Sequence, residues 1–212
     1  MTWNDVSVFQ WQQLMDLYVG DDDRDDLETA TLSILLNKTE NEINSLSEGE
    51  RISFLRKIDF VHTPPTGKPK KIIKCGNGKR YRPVYDVRKI KAARYIETKH
   101  FGKKPEENLH RIAASMVMPQ KKWLFWKDDK YDAAMHEEYA NDLLTASVTD
   151  VMGCVVFFCE VYRRWMQNSA DYLKAEMMEK GMTQEQAEEA YQALWTITDG
   201  TTRQLWWRNM SE

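Results

Sequence analysis

The sequence has few of the residues from which cross-links and membrane anchors are built. Its 212 residues include three cysteines, Cys75, Cys154 and Cys159, which are too few and too unevenly placed for a disulfide framework, so we expect them to be reduced. The longest nearly apolar run is nine residues, 151–159, whereas a membrane-spanning helix needs about 20. The N-terminus has no basic region followed by a long apolar stretch. These absences argue against a disulfide-rich secreted module and a membrane protein, and predict a cytosolic one.

Motifs for catalysis and metal binding are also missing. The segment 76–79 contains a Gly-Lys pair, but a phosphate-binding loop needs Ser or Thr after the lysine, where Arg80 stands. His136 begins a stretch similar to a zinc-protease helix, yet Ala140 replaces the second histidine, so we expect a surface histidine. No Gly-x-Ser-x-Gly nucleophile elbow is present. We therefore predict a protein that is not an enzyme, with no catalytic residue, cofactor or metal ion.

Charge, in contrast, is abundant and unevenly distributed. The net charge is −3, but residues 1–60 carry −8, residues 61–104 carry +12 and residues 105–212 carry −7. Paired prolines and a glycine at 62–67 mark a boundary because they cannot continue a helix. We expect three segments within one compact domain: an acidic helical segment at 1–61, a basic β-hairpin and helix at 62–104, and a helical segment at 105–212.

Helix-capping pairs recur along the acidic segment. Three pairs precede apolar-periodic stretches and have the spacing of a capping box: Ser7 with Gln10, Thr39 with Glu42, and Ser47 with Glu50. The acidic cluster at 21–26 would favour another helix start, since carboxylates stabilise a helix N-terminus. These signals predict four short helices.

The basic segment predicts a β-hairpin, because Gly76-Asn77-Gly78 separates two β-prone runs. Pro83 has no N–H to donate, so its strand is expected to be an edge strand or to end there. The pattern then predicts helices at 90–101, 105–117, 133–144, 148–180 and from 183 to 195. We expect Ser147 to cap the long helix and Gly181 to end it. The predicted fold class is α+β, predominantly α-helical with one inserted β-hairpin.

Two groups of residues are candidate interaction surfaces. The basic group has Tyr81 and Tyr85 available for stacking on bases; it consists of Lys70, Lys71, Lys74, Lys79, Arg80, Arg82, Arg88, Lys91 and Arg94. Its alternative role, which the mildly acidic net charge favours, is to face acidic segments of the same chain or of a neighbouring copy. The apolar group lies in loop-like or terminal segments, where it would bind a partner or pack on the core; it consists of Trp123, Phe125, Trp126, Trp206 and Trp207.

Several runs of sequence resemble proteins of tailed bacteriophages. Residues 2–12, Thr-Trp-Asn-Asp-Val-Ser-Val-Phe-Gln-Trp-Gln, resemble the N-terminus of small phage morphogenesis proteins, especially tail assembly chaperones. The run from Asn77-Gly78-Lys79-Arg80-Tyr81 to Arg94-Tyr95-Ile96-Glu97, and the run 108–119, resemble proteins of gut Bacteroidetes phages, including the crAss-like group. The resemblance implies a non-enzymatic role in virion assembly, in the host cytoplasm or in the virion, and supplies no catalytic residue.

The function expected first is therefore that of a tail assembly chaperone, which shields a helical client by protein–protein binding. A ring, connector or tail component of the virion, in which acidic and basic segments of neighbouring copies pair, is the alternative in the same setting. A nucleic-acid-binding accessory protein that uses residues 68–94 is the alternative of another class, and a hydrolase with an unrecognised carboxylate site is the third. The expected partners are other phage structural or tail proteins, a second copy of the chain, or nucleic acid, but no membrane.

Overall fold

The computed structural model describes residues 1–19, 24–86, 92–120 and 133–189. Over these residues the chain is predominantly α-helical with a small three-stranded antiparallel sheet of order β1-β2-β3, which confirms the predicted fold class. The helices are α1 (Val8–Val19), α2 (Arg24–Leu36), α3 (Glu40–Asn44), α4 (Glu48–Lys57), α5 (Ala92–Phe101), α6 (Pro105–Ala114), α7 (His136–Leu143), α8 (Val148–Glu179) and α9 (184–189). The strands are β1 (Ile73–Lys74), β2 (Arg80–Pro83) and β3 (Val117–Pro119), and single 3-10 turns lie at Trp3–Asp5, Asp59–His62 and Ala133–Met135.

The helices of the acidic segment begin where the capping pairs predict. The Ser7 hydroxyl accepts a hydrogen bond from the Gln10 N–H at 3.1 Å, and the Gln10 side-chain oxygen accepts one from the Ser7 N–H at 3.0 Å. The same reciprocal bonds form at the starts of α3 and α4. Four short helices are therefore confirmed, whereas residues 20–23, which include part of the acidic cluster, lie outside the described residues.

The predicted hairpin is present and has a three-residue loop. The Cys75 N–H donates to the Lys79 carbonyl at 2.9 Å, and the Gly78 N–H donates to the Cys75 carbonyl at 3.0 Å. Gly78 has a φ of +81°, the left-handed conformation that such a loop requires and that glycine adopts without strain. In the resulting register Ile73 pairs with Tyr81 and Lys74 pairs with Arg80.

The third strand corrects one prediction and decides between the two alternatives of another. The helix predicted at 105–117 ends at Ala114, and Val117–Pro119 pairs with β2 as β3. Strand β2 is therefore central, so Pro83 is not on an edge strand, although the strand does end there. The physical reason is that the outer edge of β2 presents unpaired backbone groups, which a neighbouring segment satisfies. The turn after α6 begins this pairing, since the Val84 N–H donates to the Met116 carbonyl at 2.7 Å.

Residues near the N-terminus are bonded to the segment that joins α7 and α8. The Val8 N–H donates to the Ala146 carbonyl at 2.9 Å, and the Val148 N–H donates to the Val6 carbonyl at 2.9 Å. The acidic and C-terminal segments consequently share one core, whose fully buried side chains include Trp11, Leu14, Leu143 and Val151.

Ser147 lies at the N-cap position of α8 as predicted, but its side chain does not cap the helix. The Ser147 side chain makes no capping bond to α8 and lies instead 3.0 Å from the Thr149 hydroxyl. The first N–H of α8, that of Val148, has the Val6 carbonyl as its acceptor. A tertiary contact thus satisfies one of the N–H groups that a helix start leaves unpaired.

The basic segment crosses α8 at a contact between two glycines. A Cβ atom on Gly67 would lie 1.9 Å from the Thr149 carbonyl oxygen, and one on Gly153 would lie 2.7 Å from the Lys68 carbonyl oxygen. Side chains at either position would therefore overlap with backbone atoms. The next residue of α8, Cys154, accepts a hydrogen bond from the backbone of the crossing loop at 3.3 Å. This crossing fixes the loop that leads into the sheet.

The C-terminal half of α8 continues into a helical hairpin. Gly181, with a φ of +90°, ends α8 as predicted, and the capping pair at 183–186 begins α9. Helix α9 folds back on α8, because Ala187 is fully buried and Lys174 forms an ion pair with Glu188. The remainder of the helix predicted up to residue 195 lies outside the described residues.

Candidate functional site

The outward side of the sheet is covered by cations. Along β1 and β2 the alternation of side chains buries Ile73, Tyr81 and Pro83 and exposes the residues between them. The exposed positions are Lys74, Arg80 and Arg82, which we call the cationic sheet face. Between Asp59 and Asp86 the chain has no carboxylate side chain, so this segment supplies no charge of its own to neutralise the face.

Two of these cations are placed directly opposite each other. Lys74 and Arg80 are cross-strand partners, and like charges in that position destabilise an antiparallel pair. Neither has an ion-pair partner among the described residues, and the same holds for Lys68 and Lys71 in the adjoining loop. The fold therefore keeps a concentration of positive charge that costs stability and that the described carboxylates do not neutralise.

Other members of the predicted basic surface have different roles. Lys70 pairs with Asp150 at 3.3 Å, and Lys79 pairs with Glu138 at 2.8 Å. These two contacts agree with the alternative in which basic residues face acidic ones of the same chain. Arg88 and Lys91 lie outside the described residues.

Arg94 does not belong to an exposed surface, which corrects its prediction. Its side chain is 2% exposed, and its Nη1 donates to the carbonyl oxygens of Val117 at 2.9 Å and Ser115 at 3.1 Å. A guanidinium offers several donors in a fixed fork, so it satisfies carbonyls that the turn between α6 and β3 leaves unpaired. Arg94 therefore supports the third strand.

The tyrosines predicted to stack on bases are also not available for it. Tyr81 is 1% exposed, and the hydroxyl of Tyr85 donates to the Lys70 carbonyl at 2.6 Å and to the Cys154 sulfur at 3.0 Å. The Tyr85 ring packs edge-to-face on Phe157 at 5.1 Å. Both hydroxyls have a pKa raised above the ordinary tyrosine value, chiefly by burial. The cationic sheet face therefore consists of charge without a stacking platform.

A buried carboxylate attaches the hairpin to α7. Asp142 is 7% exposed and accepts hydrogen bonds from the Asn77 amide at 2.6 Å, from the Tyr81 hydroxyl, and from the Lys79 ammonium at 2.8 Å. Burial alone would raise its pKa, but these three donors together hold the pKa of Asp142 below its ordinary value. Because these three partners occupy the carboxylate, the cluster supports the sheet rather than presenting a free acid.

The end of the α8–α9 hairpin, residues 171–189, differs from the sheet in both charge and polarity. It exposes four large apolar side chains: Tyr172 at 68%, Leu173 at 37%, Met178 at 46% and Met182 at 38%. Four exposed carboxylates there have no ion-pair partner among the described residues: Asp171, Glu179, Glu185 and Glu189. Several large apolar side chains exposed on one short helical hairpin are typical of a binding surface. We call this region the hairpin end.

The predicted apolar surface is a different set of residues from the hairpin end. Trp123, Phe125, Trp126, Trp206 and Trp207 all lie outside the described residues. Sequence reasoning did not single out the hairpin end. Tyr172 and Leu173 fall at apolar positions of the helix predicted at 148–180, but helical periodicity alone does not show how far a neighbouring element covers such positions.

One cluster has the residue types of a nucleophilic triad but a different geometry. His136 Nε2 lies 3.2 Å from the Ser115 hydroxyl and 3.8 Å from Glu97 Oε2, so one ring nitrogen faces both groups. A Ser-His-acid relay instead uses the two ring nitrogens for the two partners. Ser115 is 1% exposed, which also denies it a substrate. His136 is itself 6% exposed and stacks on Phe101, so the predicted surface histidine is wrong.

The cysteines are free thiols, as expected. Burial raises the pKa of Cys75 and of Cys159 to about 12 and also raises that of Cys154, so all three are protonated at neutral pH and are poor nucleophiles. Within the described ranges, no group of three or more His, Cys, Asp or Glu side chains could hold a metal ion.

A cleft of about 370 Å³ lies where α1, α2 and α4 meet. Apolar side chains such as Tyr18, Leu27 and Leu55 line it together with Glu28 and Asp59. Glu28 has a salt-bridge partner in Arg51 at 3.8 Å. The mixture gives neither a strongly apolar pocket nor a concentration of one charge, so it indicates no ligand class.

Comparisons with protein-family models, curated proteins and solved structures find no match for this chain. The two surfaces are therefore interpreted from their own chemistry. Among the residues that the structure describes, no helix is both long enough and apolar enough to cross a lipid bilayer.

Proposed function

We propose that the chain is a non-enzymatic virion assembly protein of a tailed bacteriophage, most similar in role to a tail assembly chaperone, and that it acts by binding other proteins. The observation that carries the proposal is the hairpin end, which exposes four large apolar side chains, with Tyr172 at 68% as the most exposed of them. The sequence resemblance to phage morphogenesis proteins supplies the setting. A chaperone needs such an exposed apolar area, because its client must dock before it is packaged.

The charge of the hairpin end defines the partner that it fits. Its exposed carboxylates lie on the same helical hairpin as its exposed apolar side chains. The complementary ligand is therefore an amphipathic helix with an apolar stripe and basic flanks. Apolar contact would supply most of the affinity, and the carboxylates would set the orientation. The client is accordingly a basic, helical segment of another virion protein.

A synthetic amphipathic peptide with lysine flanks tests this surface by calorimetric titration. We expect binding to the unmodified protein and its loss in the double variant Tyr172→Ser/Met178→Ser. The matched control is Phe9→Ser/Ile52→Ser, which removes two exposed apolar side chains, 52% and 40% accessible, from α1 and α4. Equal binding by both variants, or equal binding of a peptide with glutamate flanks, would contradict the assignment.

The virion role is tested by co-expressing the chain with individual tail and connector proteins of gut Bacteroidetes phages. A specific complex with one of them, lost in Tyr172→Ser/Met178→Ser, supports the role. Failure to bind any of them while the peptide still binds would contradict it.

The ring or connector alternative is favoured by one observation, the presence of a cationic sheet face and an acidic hairpin end on the same chain. Such complementary patches at different places allow head-to-tail contacts between copies, which can close into a ring. Light scattering at low and high salt separates the alternatives. A discrete large oligomer that dissociates in salt favours the ring, whereas a monomer or dimer at both salt concentrations favours the chaperone.

A further inference from the structure

The cationic sheet face offers an activity separate from protein binding. We infer that it binds the phosphate backbone of nucleic acid without reading the base sequence. The cations are Lys74, Arg80 and Arg82 on the sheet, with Lys68 and Lys71 in the loop that leads into it. This activity does not depend on the hairpin end, so either can fail without affecting the other.

The arrangement of charge on the sheet favours a bound polyanion. Lys74 and Arg80 oppose each other across β1 and β2 in a position where like charges repel. A bound polyanion removes this repulsion, and each phosphate that is neutralised also releases condensed counterions. The sheet holds the two side chains on the same side with the backbone fixed by the Asp142 cluster, so little ordering is needed when an anion binds.

The composition of the cationic sheet face favours nucleic acid over an acidic protein. Protein interfaces have a core that is depleted of charge and anchored by aromatic or apolar side chains. The outward positions on the sheet are cations, with the half-buried Met118 of β3 as the apolar neighbour of Arg82. Protein–nucleic acid interfaces, in contrast, are strongly positive and need no apolar anchor for contacts to phosphate. The composition of the face therefore favours phosphate.

The tyrosines near the cationic sheet face bear on whether it binds single-stranded or duplex nucleic acid. Single strands are held largely by bases that stack on aromatic rings. The neighbouring candidates, Tyr81 and Tyr85, are engaged in hydrogen bonds within the fold. The face can therefore contact phosphates but not bases, and we expect duplex DNA of any sequence to bind.

Fluorescence anisotropy with a labelled mixed-sequence DNA duplex tests the inference. We expect binding at low salt that weakens steeply as salt rises, with a log–log slope of about −0.9 for each phosphate contacted. The variant Lys74→Glu/Arg80→Glu should lower the affinity at least tenfold. The control Arg56→Glu/Lys57→Glu makes the same change in net charge at two exposed cations of α4 and should retain most of the binding.

Several results would overturn the inference. Equal losses in the two double variants would mean that only net charge matters, and binding that does not change with salt would exclude phosphate contacts. Tighter binding of polyglutamate than of DNA would assign the face to an acidic polypeptide. If the unmodified protein binds no DNA but forms oligomers that Lys74→Glu/Arg80→Glu dissociates, the face instead binds the acidic hairpin end of a second copy.

Discussion

The cationic sheet face and the hairpin end are exposed surfaces of different chemical composition on different supports. On the sheet, exposed charges stand on a short, firmly bonded framework, and large apolar side chains such as Tyr81 point inward. At the hairpin end, exposed apolar side chains such as Tyr172 lie on the same helical hairpin as exposed carboxylates. The cationic sheet face therefore suits an electrostatic, salt-dependent contact, and the hairpin end suits an apolar, directional one.

The largest loss of stability is expected from a substitution that separates the basic segment from α8. The substitution Gly153→Ala places a Cβ within 2.7 Å of the Lys68 carbonyl oxygen, so the crossing loop must shift. We expect a loss of about 3 kcal/mol in the free energy of unfolding, measured by urea denaturation. Gly49→Ala is the control, because a Cβ there meets nothing within 4 Å and alanine favours a helix by about 0.5–1 kcal/mol. Equal stability of the two variants would contradict the packing at the crossing.

Salt should distinguish the two surfaces. If the sheet contacts three phosphates, raising the salt from about 50 to about 200 mM should weaken duplex binding about 40-fold. Binding of the amphipathic peptide should change much less over the same range, since apolar contact supplies most of its affinity. Anisotropy and calorimetric titrations on one protein preparation provide both numbers. Parallel salt dependences would remove the distinction.

Acid should weaken the framework of the sheet before it affects the hairpin end. Because the folded pKa of Asp142 is below its unfolded value, its contribution to stability is present above pH 4 and is lost as the pH falls through the folded pKa. The substitution Asp142→Asn keeps the shape but removes the charge, and we expect it to cost about 1.5–2 kcal/mol at pH 7. The cost should shrink at pH 3, as measured by urea denaturation. A pH-independent cost would show that the charge of Asp142 contributes nothing.

The smallest effect on stability is expected at Lys74 and Arg80, and there the substitution should stabilise the fold. The single substitution Lys74→Glu places opposite charges across β1 and β2, so it should stabilise the fold by about 0.2–1 kcal/mol. The same change should weaken duplex binding, which separates the stability of the sheet from its proposed activity. Thermal unfolding and anisotropy on the same variant measure the two effects. Destabilisation by Lys74→Glu would indicate that Lys74 has a structural role.

Local features of the fold could be predicted, and long-range ones could not. The capping boxes and the Asn-Gly turn are decided by neighbouring residues, and they appear where the sequence places them. The burial of Arg94 and of His136 depends on partners far along the chain. Gly153 gave one available signal, since a glycine inside a helical pattern indicates a close approach of another backbone.

The candidate surfaces likewise have some features that neighbouring residues predict and others that depend on residues distant in sequence. The charge count identifies the basic segment, and the alternation of side chains could have shown which of its residues face outward, because Lys74, Arg80 and Arg82 fall on one side of the hairpin. The loss of Tyr81 and Tyr85 as stacking groups depends on Asp142 and Cys154, which are distant in sequence. The apolar exposure of the hairpin end depends on how α9 packs, which the periodicity of α8 alone does not specify.

The bonds between Val6–Phe9 and the 144–148 segment also govern how the chain matures during translation. The Asn4 side chain accepts a hydrogen bond from Thr149, 145 positions later. The contacts between the N-terminal residues and the 144–148 segment therefore form only after most of the chain has left the ribosome. Contacts between residues so far apart in sequence form slowly. The core that the acidic and C-terminal segments share is thus completed only at the end of synthesis.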